Sequence, residues 1–175
     1  YVTHDQVEAM TMGDRIVVMN NGVIEQIDSP ENTYTKPANV FTSTFIGTPQ
    51  INLFEGELKK DKNEWIFISN GLTLYVEDRH YQYSKLKSGN VVFGIRPEDI
   101  HGESSSDFKG TKNLIDVNVD FFEYLGSETN IHLSSGANQF SAKFNKKVDA
   151  NLSETKVMFD VSKGHFFNED NKEIL

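Results

Sequence analysis

Cysteine is absent from this sequence of 175 residues, and basic residues are fewer than acidic ones. Without cysteine the chain has no disulfide framework, no thiolate nucleophile and no cysteine-based zinc or iron–sulfur site. There are 17 Lys and Arg residues against 26 Asp and Glu residues, and the formal net charge is −9. An acidic chain has no general attraction for phosphate backbones, so a nucleic-acid-binding protein would need a local basic patch.

Long hydrophobic runs are also missing. The longest ones, such as Ile16–Met19, are of strand length, whereas a membrane-spanning helix needs about 20 apolar residues. A signal-peptide n-region is not recognisable, because Asp5 and Glu8 lie where basic residues would be. The sequence begins with Tyr1 and not with Met, and its first residues are typical of the interior of a chain. We therefore expect it to be part of a longer protein.

Residues 1–48 combine short helical and strand patterns. Thr3–Gln6 has the form of a capping box, in which Thr3 caps a helix and Gln6 bonds back to the cap. We expect that helix to run from about His4 to Met12. Asn21-Gly22 predicts a tight hairpin turn, since both residues tolerate positive φ. Two more short helices are predicted, one beginning at Ser29-Pro30 and one carrying Phe41 and Phe45 on the same face.

From about residue 49 onward the patterns are those of strands. Apolar and polar residues alternate over Leu72–Val76, Ile115–Phe121 and Phe140–Phe144, which predicts half-buried strands. Asn70-Gly71 predicts a second hairpin turn, and the polar, Ser-rich residues 102–110 predict a mobile loop. Many short strands separated by glycine turns predict a mainly β fold, an antiparallel barrel or sandwich, because closure removes exposed strand edges.

No complete catalytic set is found in the sequence. His4 lies where a strand gives way to a helix, a place at which α/β nucleotide-binding folds position catalytic groups. From spacing alone, a helix-opening polar role explains His4 better. The five histidines show no zinc-ligand spacing, and no Walker A loop is present.

The aromatic residues invite a nucleic-acid interpretation, because small β-barrels stack bases on exposed rings. Phe140 and Phe144 share one face of a predicted strand, and core packing explains them better. Lys143, Lys146 and Lys147 form a modest basic cluster, which we interpret as a solvated turn.

Two turn motifs stand out. In Gly94-Ile95-Arg96-Pro97-Glu98-Asp99, a buried-type strand ends in Arg, and Pro and two acids follow. In Leu125-Gly126-Ser127-Glu128-Thr129, the glycine can adopt positive φ between two strands. We interpret both as structural corners, with a small-ligand pocket as the alternative. The residues singled out here are Gly94, Arg96, Pro97, Glu98, Gly126, Ser127 and Glu128.

These motifs, in this order and spacing, resemble parts of ATP-binding cassette (ABC) import ATPases. Tyr1–Met10 resembles the switch-histidine loop, and Asp14–Pro37 resembles the segment that follows it. Phe45–Pro49 resembles the junction to an accessory domain. The two turn motifs resemble hallmarks of that domain, the transport-associated OB-type β domain. The resemblance covers essentially the whole chain, and the subgroup it favours is the maltose/maltodextrin and glycerol-phosphate type of carbohydrate importer.

The resemblance implies that residues 1–48 are the C-terminal remnant of an ATPase domain and that residues 49–175 are the OB-type domain. In the parent protein, His4 would contact the γ-phosphate of ATP, which binds there with Mg²⁺. The family's Walker A, signature and Walker B motifs are missing from these residues. We therefore expect this chain to be no enzyme by itself, with no cofactor or metal of its own.

The partners implied are a second copy bound through the OB-type domain, permease subunits bound through the ATPase domain, and a regulatory protein; nucleic acid is not among them. The implied location is cytoplasmic, at the inner face of the plasma membrane. We expect a regulatory and dimerisation module of an importer of solutes, most simply carbohydrates. The alternatives are a sugar or oxyanion sensor and an oligonucleotide-binding OB protein, although the net negative charge of the chain argues against the second.

The fold of residues 1–28 is a separate question, because the rest of an ATPase sheet is missing from these residues. For residues 1–28 we expect packing on the β domain, pairing with a second copy, or poor order.

Overall fold

The fold is taken from a computed structural model, which describes residues 1–62, 64–76, 86–102, 112–145, 152–170 and 172–175. The predicted mobile loop lies outside these ranges except for Gly102. Of the basic cluster, Lys146 and Lys147 also lie outside them.

Residues 1–48, called the N-terminal region below, form a hairpin and three short helices. The elements are α1 (Gln6–Met12), β1 (Ile16–Asn20), β2 (Val23–Asp28), α2 (Pro30–Thr35) and α3 (Val40–Phe45). The hairpin turn has positive φ at Asn21 and Gly22, as the sequence predicted. Ser29 caps α2 by accepting from the amide of Asn32. The rings of Phe41 and Phe45 stack on one face of α3, 5.7 Å apart.

The predicted capping box at the start of α1 is wrong. The N-cap is Asp5, whose carboxylate accepts from the amides of Val7 and Glu8 at 2.7 and 3.2 Å. Thr3 instead accepts from the amide of Asp5 at 3.0 Å. A charged carboxylate is a strong cap because it also interacts favourably with the positive end of the helix dipole. The side chain of Gln6 is therefore not used at the cap.

Residues 49–175, called the β region below, form two five-stranded antiparallel sheets. In chain order the strands are β3 (Asn52–Asp61), β4 (Glu64–Ser69), β5 (Leu72–Val76), β6 (Gly89–Ile95), β7 (Ile100–Gly102), β8 (Leu114–Tyr124), β9 (Thr129–Ser135), β10 (Asn138–Phe144), β11 (Glu154–Phe159) and β12 (His165–Asn168). One sheet has the order β12-β6-β3-β4-β5 and the other β10-β9-β8-β11-β7. Short 3₁₀ turns at Pro97–Asp99 and Val161–Lys163 follow β6 and β11. The prediction of a mainly β, antiparallel fold is confirmed.

Aromatic side chains from both sheets form the core. The ring of Phe54, on β3, lies 5.6 Å from that of Phe140 and 6.0 Å from that of Phe159, both on the opposite sheet. Phe144 packs against the same cluster from the end of β10. The interpretation of Phe140 and Phe144 as core residues is confirmed, and burial of such large rings stabilises the β region through the hydrophobic effect.

Strand β8 departs from the alternation that its sequence predicts. A register shift between Val119 and Phe121 marks a β-bulge at Asp120. Because one extra residue reverses the face to which later side chains point, Phe121 is 52% exposed and Phe122 packs against the core in its place. The ring of Phe121 stacks on the imidazole of His132 at 3.9 Å, outside the core.

The hairpin β1–β2 packs on the helical part of its own region. Gln26 accepts from the amide of Ala38 at 2.8 Å, and Glu25 accepts from the side chain of Asn39 at 2.6 Å. Tyr1 and Val2 are exposed and lie outside any strand. Among the described residues, no helix has the length and apolar character needed to cross a bilayer.

Candidate functional site at the junction of the two regions

Arg96 joins the β region to the N-terminal region. It follows directly after β6 and is 3% exposed. Its Nη1 donates to the carbonyl of Ile46 at 2.8 Å, and its Nη2 donates to the carbonyl of Tyr34 at 2.8 Å. These carbonyls lie in α2 and just after α3, where helix ends leave backbone acceptors without helical partners. The buried guanidinium thus supplies partners for two helix-terminal carbonyls.

The aromatic ring of Tyr34 stacks on the same guanidinium. Cζ of Arg96 lies 3.6 Å from the ring centroid, in cation–π geometry. The hydroxyl of Tyr34 donates to the carboxylate of Glu98, in the 3₁₀ turn that follows Arg96. Burial and the bond to Glu98 raise the pKa of Tyr34, so the phenol keeps its proton at neutral pH. Tyr34 is therefore held from both ends by residues of one motif.

Gly47 allows this approach between the two regions. Its φ is +122°, a conformation that favours glycine, and a Cβ at this position would lie 2.5 Å from Nη1 of Arg96. One residue further along the chain, the peptide bond between Thr48 and Pro49 is cis. Only a residue without a side chain fits the space between α3 and the guanidinium.

A lysine from the other end of the β region completes the corner. Nζ of Lys163 lies 3.0 Å from Asp99 Oδ1 and 3.8 Å from Asp160 Oδ2. Burial raises the pKa of Asp99, and the bond to Asp99 raises the pKa of Lys163. The amide of Asp160 also donates to the carbonyl of Asp99 at 3.0 Å. These contacts fasten the turn after β11 to the turn after β6.

His165 is the first residue of β12, where it pairs with Gly94 of β6. It is therefore close to Arg96, which lies two residues after Gly94. Burial, with a smaller contribution from the positive charge of Arg96, lowers the pKa of His165 to about 4. The imidazole is therefore neutral at pH 7. Gly94 itself is a packing position, because a Cβ there would lie 3.0 Å from the ring of Phe167.

The last residues of the chain form a second connection between the regions. The amide of Val40 donates to the carbonyl of Lys172 at 2.9 Å, and the amide of Ile174 donates to the carbonyl of Ala38 at 3.0 Å. The amide of Leu175 donates to the carbonyl of Phe166, on β12, at 2.9 Å. Residues 172–175 thus lie between the N-terminal region and the edge strand β12.

The second predicted corner lies in the other sheet, between β8 and β9. Gly126 has φ +82°, and the amide of Leu125 donates to the carbonyl of Glu128 at 2.9 Å. The carboxylate of Glu128 pairs with Lys143 of β10 at 2.8 Å, and Ser127 is exposed. The sequence motifs of Arg96 and Gly126 therefore belong to separate parts of the β region.

His4 lies just before α1 and is exposed. It is the residue that the resemblance assigns to ATP, and its imidazole is open to a ligand. Within the described ranges no group of three or more His, Asp or Glu side chains is arranged to hold a metal ion. The donors and acceptors named above at the Arg96 corner bond to one another. Their role is therefore to hold the N-terminal region and the β region together.

A family model described as the MalK OB fold domain matches residues 47–100, from Gly47 to the end of the Arg96 corner. This match confirms the OB-type fold that the turn motifs predicted.

Curated relatives extend the similarity over nearly the whole chain. The trehalose/maltose import ATP-binding protein MalK of Thermococcus litoralis is 38% identical over 172 residues, which are 96% of this chain and 46% of that protein. The oligosaccharides import ATP-binding protein MsmX of Bacillus subtilis is 38% identical over 175 residues, 97% of this chain and 47% of that protein. The multiple sugar-binding transport ATP-binding protein MsmK of Streptococcus mutans is 36% identical over 182 residues, which cover 96% of this chain and 48% of that protein.

The chain spans about half the length of the curated relatives it matches, and it corresponds to their C-terminal half. The resemblance to carbohydrate ABC importer ATP-binding subunits is thereby confirmed.

The sequence motifs did not indicate the contacts of three residues near the junction: Gln6, Lys163 and His165. Gln6 was assigned to the helix cap and is instead bonded to Gly47 and Thr48. Lys163 and His165 come from the end of the chain, and neither stands in a recognisable motif. The pair Glu98-Asp99 was the available signal, since two acids after a buried strand need cationic or donor partners.

Proposed function

We propose that this chain is the regulatory C-terminal part of the ATP-binding subunit of an ABC importer, and that the solute imported is a carbohydrate. The observation that carries the proposal is the similarity over 96% of the chain to a trehalose/maltose import ATP-binding protein, together with the MalK OB fold match. In this proposal residues 1–48 are the end of the ATPase domain and residues 49–175 the OB-type domain.

The geometry of the junction supports that division. The N-terminal region has its own two-stranded sheet, and the β region has two larger sheets. The contacts of Arg96 with Ile46 and Tyr34 hold one region on the other. A domain that responds to signals must be attached firmly to the domain that it controls, and a buried, doubly bonded guanidinium is suited to that task.

His4 is proposed to serve ATP hydrolysis only in the complete protein. An exposed imidazole can give one hydrogen bond to a phosphate oxygen, which is a positioning and electrostatic contribution. Among the described residues no group of three or more His, Asp or Glu side chains is arranged to hold a metal ion. The remaining residues for nucleotide and metal must come from the rest of the protein, and the 175-residue chain alone is proposed not to hydrolyse ATP.

ATP hydrolysis measured on the 175-residue chain and on the complete protein tests these assignments. We expect turnover by the complete protein with its permease, loss of that turnover in His4→Ala, and no turnover by the 175-residue chain. Hydrolysis by the chain alone at a rate near that of the complete protein would contradict the proposal. So would a His4→Ala variant of the complete protein that keeps its full rate.

The partners follow from the same proposal. The OB-type domain is proposed to bind a second copy of itself and a regulatory protein, and the ATPase domain to bind permease subunits at the cytoplasmic face of the membrane. The names of the relatives as import ATP-binding proteins support the transporter partners. Light scattering coupled to size exclusion tests the dimer, and a mass that stays monomeric at high concentration counts against it.

A further inference from the structure

Gln6 holds the chain at the junction between the two regions. Its Oε1 accepts from the amide of Gly47 at 2.7 Å, and its Nε2 donates to the hydroxyl of Thr48. These partners are 41 and 42 positions away in the sequence. One side-chain amide therefore fixes two consecutive residues of the linker that leads into the β region.

Arg96 holds the same linker from the β region. Its Nη1 bonds to the carbonyl of Ile46 and lies 2.5 Å from the position that a Cβ of Gly47 would have. Residues 46–48 are thus held by Gln6 of α1 and by the guanidinium of Arg96. A rigid segment that is bonded to two elements must follow a displacement of either one, or some of its hydrogen bonds must break.

Gln6 is also close to His4 along the chain. It is the first residue of α1, and only Asp5, the cap of that helix, lies between the two. Two residues of fully extended chain span at most about 7 Å. The cap holds Asp5 on the helix, so a movement of the His4 backbone is passed to the start of α1 over a very short distance.

We propose that Gln6 is a positioning residue that couples His4 to the OB-type domain through residues 46–48 and Arg96. This inference rests on the proposed function, because it assumes that His4 responds to ATP. The coupling is reciprocal, as thermodynamic linkage requires. A partner that shifts the Arg96 corner must change the affinity of the His4 end for nucleotide by the same factor by which nucleotide changes the affinity for that partner.

Hydrogen exchange on the complete protein, with and without ATP, tests the coupling. The variant Gln6→Met keeps the length of the side chain and removes both hydrogen bonds. Gln6→Glu is the conservative variant, because a carboxylate accepts from the amide of Gly47 and from the hydroxyl of Thr48. Gln139→Met is the matched control, since Gln139 is an exposed glutamine on β10.

In the unaltered protein we expect ATP to change exchange at the peptide around His4 and at the peptide containing residues 97–102. In Gln6→Met the change at residues 97–102 should fall roughly tenfold, which is within the range that the loss of two ordinary hydrogen bonds corresponds to. The change around His4 should remain. Gln6→Glu should restore most of the response, and Gln139→Met should leave it intact.

Two outcomes would overturn the inference, and they are distinguishable. An unchanged response at residues 97–102 in a folded Gln6→Met variant, with ATP hydrolysis intact, contradicts the coupling alone. Absence of hydrolysis and of any ATP-dependent change around His4 in the unaltered protein contradicts the proposed function, and the coupling with it. The melting temperature of each variant, compared with that of Gln139→Met, shows that the protein measured is folded.

Discussion

The guanidinium of Arg96 both stacks on the ring of Tyr34 and bonds to the backbone of that residue. Its Cζ lies 3.6 Å from the ring centroid, and its Nη2 lies 2.8 Å from the carbonyl oxygen. The two residues are 62 positions apart and belong to different regions. A planar guanidinium has a face for stacking and a forked edge with several donors, whereas an ammonium group has three donors but neither a planar face nor a forked edge. This position therefore requires arginine in particular.

The first prediction concerns that requirement. Arg96→Lys should lower the free energy of unfolding by about 2–4 kcal/mol, because a buried cation remains while its stacking and one or both carbonyl bonds are lost. Urea denaturation followed by tryptophan fluorescence measures this change. Arg15→Lys is the matched control, since Arg15 is exposed, and its effect should stay within about 0.5 kcal/mol. Equal effects of the two substitutions would refute the structural role of Arg96.

The second prediction concerns Gly47. Gly47→Ala should destabilise the protein by more than the roughly 1 kcal/mol that positive φ alone costs a residue with a Cβ. The excess arises because the new Cβ would lie 2.5 Å from Arg96 Nη1. At Gly22, φ is +82° and no atom lies within 4 Å of such a Cβ, so Gly22→Ala isolates the backbone contribution. Thermal melts of both variants should show the larger decrease for Gly47→Ala, and the opposite order would contradict this packing.

The third prediction concerns pH and His165. Its pKa is lowered to about 4 in the folded chain, from an ordinary value near 6.5. Between these two values the unfolded chain binds more protons than the folded one, so stability rises with pH. The contribution of His165 is complete above about pH 6.5 and is lost as pH falls towards 4, on the order of 2–3 kcal/mol.

Denaturation midpoints from pH 7 to pH 4 check this dependence. The variant His165→Gln should be less sensitive to pH over that window than the unaltered chain. If the two chains lost stability in parallel, His165 would not be the group responsible.

The fourth prediction concerns the bulge in β8. Phe159→Ala should cost about 3–5 kcal/mol of stability, because that ring is fully buried between the sheets. Phe121→Ala should cost only about 1 kcal/mol, the value of an exposed aromatic stack on His132. Chemical denaturation of the two variants compares them directly. A large loss for Phe121→Ala would place that ring in the core and exclude the bulge at Asp120.

Local features of this protein could be predicted from the sequence because they depend on neighbouring residues. Positive φ at Asn21 and Gly22 follows from the conformational tolerance of those two residues. The Ser29 cap of α2 and the strand Leu72–Val76 are likewise decided within a few positions. The OB-type fold was predicted through the order of several such motifs.

Local patterns thus predicted most of the elements, the mainly β class and the resemblance to carbohydrate importer subunits. Tertiary structure alone decided that Phe121 points away from the core, because one bulged residue reverses the alternation without a local signal. It also decided that Gln6 bonds to Gly47 and not to its own helix cap, and that Lys163 pairs with Asp99. These partners are far apart in the sequence, and their meeting depends on how two sheets and three short helices pack, which no local pattern records.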